Sequence, residues 1–260
     1  KPEEKPGLSP VDEAIASGDC AALASFADPA AAGVSLADKR KAAAALNRYI
    51  KPDPAPVRYR TGKIDPRIAN IRKETLEGVF QDPAAHIEDL VKQLTQREPN
   101  HFLKAKILHD WIAYHIAYDT EDLFRNLNRP QDYASVLKRK TAVCAGYSQL
   151  FKKMADLAGV EARIISGHSK GFGYRGFLGG KTDHAWNAVK VSGKWHLVDV
   201  TWDAGHVDRK TFVRNYSTDY LFLDPRSFLY SHLPEHDVEQ FWHPAVTKEQ
   251  FVREPLISGR

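Results

Sequence analysis

"TAVCAGYSQLFKKMADLAGVEARIISG" (141–167) changes its period half-way along. Up to Leu157 the apolar residues recur at helical spacing. After Gly159 the run "VEARIISG" is short and strand-like. The spacing predicts a helix from about Cys144 to Leu157, closed by Gly159. One of only two cysteines in the chain therefore stands in the first turn of a helix. A buried thiol packs as a small hydrophobe and rarely needs that place. A reactive thiol does need it, because a helix N-terminus stabilises a thiolate.

Downstream, "HAWNAVKV" (184–191) and "KWHLVDVTWD" (194–203) read as strands around Ser192-Gly193, a two-residue hairpin turn. With that turn Val191 faces Lys194, His184 faces Thr201, and Asp199 is the diagonal neighbour of His184. His184 and Asp199 then point to one face. A nucleophilic thiol needs a base within reach, and the base needs an orienting group. Cys144, His184 and Asp199 are the residues that fit these roles. "TDYLFLDPRSFLYSHLPE" (218–235) adds a short strand among turns.

Upstream, "AAHIEDLVKQLTQ" (84–96) and "NHFLKAKILHDWIAYHIAYD" (100–119) read as helices. In the second, Leu103, Ile107, Trp111 and Tyr114 form one apolar stripe. A polar stretch, 119–135, links it to the cysteine segment. Helices first and strands afterwards give an α+β class. Further upstream, "VDEAIASGDCAALASFAD" (11–28) and "SLADKRKAAAALNRYI" (35–50) are Ala-rich and helical, with Ser35 as an N-cap and Cys20 as a small packing residue. Residues 1–10 read as a disordered leader, and "KPDPAP" (51–56) forbids a helix interior. The expected organisation is a helical N-terminal segment with its leader (1–55), a linker or lead-in (56–84) and a catalytic domain (85–260). The opening "KPEEKPGLSP" suits a trimmed chain, a mature exported protein after a removed signal, or an inter-domain linker. Periplasmic or surface location is favoured over cytoplasmic.

The 260 residues are enough for one large domain, or for a domain plus a smaller segment. No apolar run approaches the roughly 18 residues of a membrane span. A net charge of +4, with no basic stripe interleaved with aromatics, argues against a nucleic-acid partner. Two cysteines exclude a four-cysteine zinc site, and neither a metal nor a cofactor is expected. "GFGYRG" (171–176) spells a dinucleotide fingerprint, but "FLGGKTD" after it is not a helix start. That segment reads instead as a mobile loop beside the cleft, with Lys170, Phe172, Tyr174 and Arg175 toward substrate. "HLPEH" (232–236) spaces two histidines like zinc ligands but puts Pro234 between them, and it is set aside. His109 and His115, six apart on one helix, do not share a face.

"VCAGYSQLFKKMADLAGVEARIISGHSKGFGY", "DHAWNAVKVSGKWHLVDVTWD" and "DYLFLDPRSFLYSHLPE" together resemble the transglutaminase-like superfamily. Within it, the resemblance is to the kyphoscoliosis peptidase group and its bacterial relatives. It covers about residues 85–245, and "ILHDWIAYHIAYD" resembles the upstream helix block. Residues 1–84 show none. The resemblance implies a papain-like fold, with the helix that carries the cysteine packed on an antiparallel sheet. It also implies a triad at Cys144, His184 and Asp199. The backbone N–H of Cys144 is a natural oxyanion donor. The resemblance offers Trp111 as the second, against the plainer reading of a core aromatic. Tyr147, Trp186 and Trp202 are further cleft candidates. The implied activity is that of a cysteine-dependent amide hydrolase or acyltransferase working through a thioester on a protein or peptide. A partner could be recruited by the N-terminal helices. The alternative is a non-catalytic binding or scaffold module.

Overall fold

The computed structural model describes residues 8–17, 19–49 and 55–255. Of the leader expected over 1–10 and the proline break over 51–56, residues 1–7 and 51–54 lie outside the described residues, as does the side chain of Cys20, whereas Pro10 already belongs to a helix. The chain opens with α1 (Pro10–Ser17), α2 (Cys20–Ala27) and α3 (Leu36–Tyr49). Ser35 Oγ accepts from Asp38 N at 3.1 Å and so caps α3. Val11, Ala14, Leu23, Ala42, Ala45 and Leu46 make an apolar cluster of their own. Ion pairs tie this segment to the rest of the chain, Asp28 with Arg163 and Lys190, and Arg40 with Asp237.

Residues 55–59 and 66–70 wind into 3-10 turns, followed by α4 (Lys73–Gln81), α5 (Pro83–Thr95) and α6 (His101–His115). The stretch 56–84, expected to be a linker or lead-in, supplies Tyr59, Ile68 and Val79 to the largest core cluster. Helix α6 also departs from its sequence reading. Every residue from Ala105 to Ala113 is buried, whereas Tyr114 is 51% exposed. A helix covered on all sides has no single apolar stripe to read. It stops at His115 because Ile116 is already extended (φ −101, ψ 132). The chain continues as β1 (Ala117–Tyr118). The supposed link over 119–135 contains α7 (Thr120–Arg125) and the start of α8 (Tyr133–Arg139), capped by Asp119 and Asp132. Their capping aspartates had given the stretch its loop-like polarity.

β2 (Thr141–Ala142) pairs in parallel with β1 and leads into α9 (Cys144–Leu157). Gly159, at φ +71, ends that helix as predicted. There follow β3 (Ala162–Ser169), β4 (His184–Val191), β5 (Lys194–Val198), α10 (Val200–Ala204), β6 (Gly205–Asp208), β7 (Thr211–Arg214), β8 (Leu221–Leu223), α11 (Pro225–Phe228), β9 (His232–Pro234) and α12 (Lys248–Arg253). The main sheet runs β8-β5-β4-β3-β9, antiparallel throughout. Val191 faces Lys194 across the Ser192-Gly193 turn, as the hairpin predicts. Central strand β4 is covered on both faces. Val189 and Val191 join the core that holds α9, and Trp186 and Ala188 join Leu197, Tyr220 and Phe228. The second strand is shorter than expected. It ends at Val198, Asp199 caps α10, and Thr201 therefore lies in a helix and does not face His184.

Candidate active site

Cys144 opens α9 and is partly buried. The first N–H groups of a helix have no intrahelical acceptor, and its partial positive charge favours an anion there. Val143 before it provides no side-chain cap. The position is fixed from outside the helix instead. The β1–β2 pairing ends at Tyr118 and Ala142, and Gln131 Oε1 accepts from Val143 N at 3.2 Å. Gln131 is itself held by donating to Asp122 Oδ2 at 3.1 Å. Gly146 lets this support come close, since a Cβ there would lie 2.4 Å from Gln131 Oε1. Gln131 and Tyr118 carried no sequence signal, because each reaches the cysteine through tertiary contact.

His184 lies at the start of β4, near enough to Cys144 for the sulfur to act on its ring. Its Nε2 donates to Asp199 Oδ2 at 2.7 Å, which leaves Nδ1 for the sulfur. Asp199 is buried, and its Oδ1 accepts from Thr201 N at 2.8 Å and Trp202 N at 3.2 Å. One side chain thus caps α10 and holds the histidine. A second histidine, His232 on β9, places Nε2 3.0 Å from the same Asp199 Oδ2. The sequence reading considered His232 only as a metal ligand and left it out of the site. Its signal was invisible in the chain, since β9 meets β3 only in the folded sheet. The donor atoms of His184, Asp199 and His232 lie within 4.8 Å of one another, a spacing that a metal ion could bridge. Here both ring nitrogens bond to one carboxylate oxygen, so the trio reads as a hydrogen-bonded set.

The electrostatics divide the two histidines. Burial opposes charge on both. At His184 the Asp199 carboxylate, joined by the nearby Cys144 sulfur, overcomes it and raises the pKa to about 10. At His232 burial prevails over the Asp199 hydrogen bond, with repulsion from His184 added, and the pKa falls to about 4. Burial alone would raise the carboxyl of Asp199, but His184 and His232 hold it well below the usual carboxylate range.

Beside His184 lies a cleft of about 400 Å³, lined by Tyr118, Phe172, Trp202, Val207, Phe212 and Tyr220 among others. Phe172 is 64% exposed, and its ring meets Phe124 edge-on at 5.5 Å. Trp202 walls the cleft 5.6 Å from the His184 ring. The other cleft candidates are elsewhere. Tyr147 is buried and donates to Ile116 O at 2.8 Å. Lys170 touches the cleft, but its ammonium turns away to Glu254 O at 2.6 Å and the Phe251 ring. Trp186 packs beneath His184 against Phe228, fully buried. Tyr174 has a buried hydroxyl with no hydrogen-bond partner among the described residues, and it is not among those that line the cleft. Trp111 stacks on Phe80 and His115 in the core, at 6.0 and 4.5 Å, and does not line the cleft. Trp111 lies on a helix that is buried all round and Tyr147 on the buried face of α9, and their spacing alone could not separate packing from a cleft role.

A sequence model of the transglutaminase-like superfamily matches residues 88–200, the span that holds Cys144, His184 and Asp199. Human kyphoscoliosis peptidase is 36% identical over 172 residues, covering 64% of this chain and 26% of its own. Hillarin of Drosophila melanogaster is 29% identical over 196 residues, covering 69% and 24%. The chain thus spans about a quarter of the length of these curated relatives. Both are animal proteins and carry nothing for the bacterial affinity expected above. A crystal structure of a TGase aligns with a TM-score of 0.37 at 21% identity, over 57% of this chain and 38% of that one. The fold is α+β, with α9 packed against an antiparallel sheet. No helix among the described residues is long and apolar enough to cross a membrane.

Proposed function

We propose that this protein is a cysteine-dependent acyl-transfer enzyme that cleaves or exchanges amide bonds of a protein or peptide, with Cys144 as nucleophile. The observation that supports this most directly is that Cys144 opens α9 near His184, whose Nε2 is hydrogen-bonded to buried Asp199. His184 first takes the Cys144 thiol proton, which makes the pair thiolate and imidazolium. The thiolate attacks the carbonyl carbon, a C–S bond forms, and the carbonyl π pair moves to oxygen near the N–H of Cys144. The intermediate collapses, the C–N bond breaks, and His184 gives its proton to the departing amine. Water or a second amine then attacks the thioester, His184 takes the incoming proton, and the C–S bond breaks to restore the thiolate. Asp199 holds the ring in the tautomer that serves both steps. The N-terminal helices, with an apolar cluster of their own, are the segment we assign to partner recruitment.

The test is covalent. An activated peptide ester should leave a thioester adduct on Cys144, detected by intact mass. The adduct should be absent in Cys144→Ala and strongly reduced in His184→Ala. A folded wild type that forms no adduct, and whose thiol alkylates like a free cysteine, would make the scaffold reading the better one.

A further inference from the structure

Asp199 is a carboxylate with about four lone-pair sites. Four donors meet it: Thr201 N and Trp202 N on Oδ1, His184 Nε2 and His232 Nε2 on Oδ2. No site is left for a proton or for water. We propose that His232 is a positioning residue of this site, its Nε2–H filling the last acceptor place on Asp199 and so fixing the carboxylate that orients His184. The inference rests on the coupled Cys144–His184–Asp199 reading above.

The tautomer of His232 follows from its neighbours. Asp199 Oδ2 only accepts, so the ring proton is on Nε2. Nδ1 then accepts, and Ser231 Oγ stands 2.8 Å away as the donor. That hydroxyl has a second acceptor in Phe228 O, but at 3.4 Å the carbonyl is the weaker claimant. A neutral ring agrees with the surroundings. Phe228, Trp202 and Trp186 lie at 4.1, 4.4 and 5.1 Å, and Tyr220 at 5.5 Å. The charged or titratable groups acting on it are Asp199, His184 and Asp183. With the His184 ring 5.4 Å away, a second cation there would be repelled. The same aromatic box prevents water from replacing the donor. β9 pairs with β3 through Ser169 and His232, on the side of β4 away from β5. Asp199 is therefore gripped from both flanks of His184.

The experiment compares wild type with His232→Phe, which keeps a ring in the box but removes the donor, and with His232→Gln, which returns an N–H at similar reach. The first readout is hydrogen exchange of the His184 Nε2–H by NMR. The second is the rate of Cys144 alkylation by iodoacetamide across pH. Losing one hydrogen bond to a charged group should speed exchange and slow neutral-pH alkylation by at least about tenfold in His232→Phe, with most of both recovered in His232→Gln. A folded His232→Phe with unchanged exchange overturns the proposal, as does a His232→Gln no better than the phenylalanine. Exchange decides this even if the wild-type thiol proves unreactive, an outcome that would count against the acyl-transfer reading alone. If His232→Phe does not fold, Ser231→Ala carries the test. It leaves the ring in place and unlocks its tautomer, and it should move both readouts in the same direction by a smaller factor. No movement there overturns the proposal.

Discussion

The two ends of α10 hold near mirror images of one another. At its start a single aspartate, Asp199, sits between two histidines, His184 and His232. At its far end Asp203 bonds to His109 Nε2 at 3.0 Å, and His109 Nδ1 lies 2.9 Å from Asp110, so one histidine sits between two aspartates. Lys106 pairs with Asp110, and all four of these side chains are buried. In a dry interior charges must balance. Lys106 and an imidazolium at His109 match the two carboxylates, and these carboxylates raise the His109 pKa to about 9 against the effect of burial. At Asp199 one carboxylate supports one cation. That cation is His184, which also faces the thiol, and His232 stays neutral. The count of carboxylates sets the count of buried cations, lysine included, and access sets their use. His184 lines the cleft, whereas His109 is 0% exposed and serves to clamp α10 against α6.

The comparison breaks most readily at His109. His109→Ala leaves two buried carboxylates facing one lysine, and it should cost about 3–5 kcal/mol of stability in urea unfolding at pH 7. A loss below about 1 kcal/mol would mean that no charged imidazolium is there. The pH dependence sharpens the same point. The folded pKa of His109, about 9, lies above the ordinary 6.5. Its contribution is therefore complete below about pH 6.5 and is lost as pH rises toward 9. His184, raised to about 10, adds a parallel alkaline decline. Melting temperature measured from pH 6.5 to 9.5 should fall more steeply in wild type than in His109→Gln, with the His184 part remaining in the variant. Equal slopes would remove His109 from the account.

At the other end the effect should appear in reactivity rather than in stability. Asp199→Asn can still hold the ring through its amide oxygen, but it stabilises the imidazolium less. The pH midpoint for Cys144 alkylation should rise by about one unit. Superimposable profiles would mean that the three residues are not coupled. The smallest effect belongs to a pair with neither burial nor access to the thiol. Arg40 and Asp237 meet at 2.8 Å with side chains 51% and 42% exposed. Arg40→Ala should change stability by no more than about 0.5 kcal/mol and leave the alkylation profile alone.

Much of the fold was legible in local pattern. The switch from period 3.6 to period 2 near Gly159, the turn at Ser192-Gly193 and the start of α9 at Cys144 each depend on neighbours in sequence. The hairpin register also followed, as Val191 opposite Lys194 shows. The reading failed where tertiary packing overrode pattern. α6 is covered all round, so a predicted stripe ran into exposed Tyr114. Capping aspartates made two helices of 119–135 look like a link.

The candidate site divides the same way. By itself, the sequence determined that a cysteine begins a helix, and that a histidine and an aspartate stand on neighbouring arms of one hairpin. Helix periodicity and turn chemistry are short-range, and one chain carries them in full. Only the tertiary structure decided that Asp199 leaves its strand to cap α10, that Gln131 holds the turn before Cys144, and that His232 arrives from β9 to share Asp199 with His184. Those contacts join residues far apart in the chain, and hydrogen-bond partners at such separation leave no local period to read. The protonation states depend on them as well, because burial and opposing charge exist only once the strands have met.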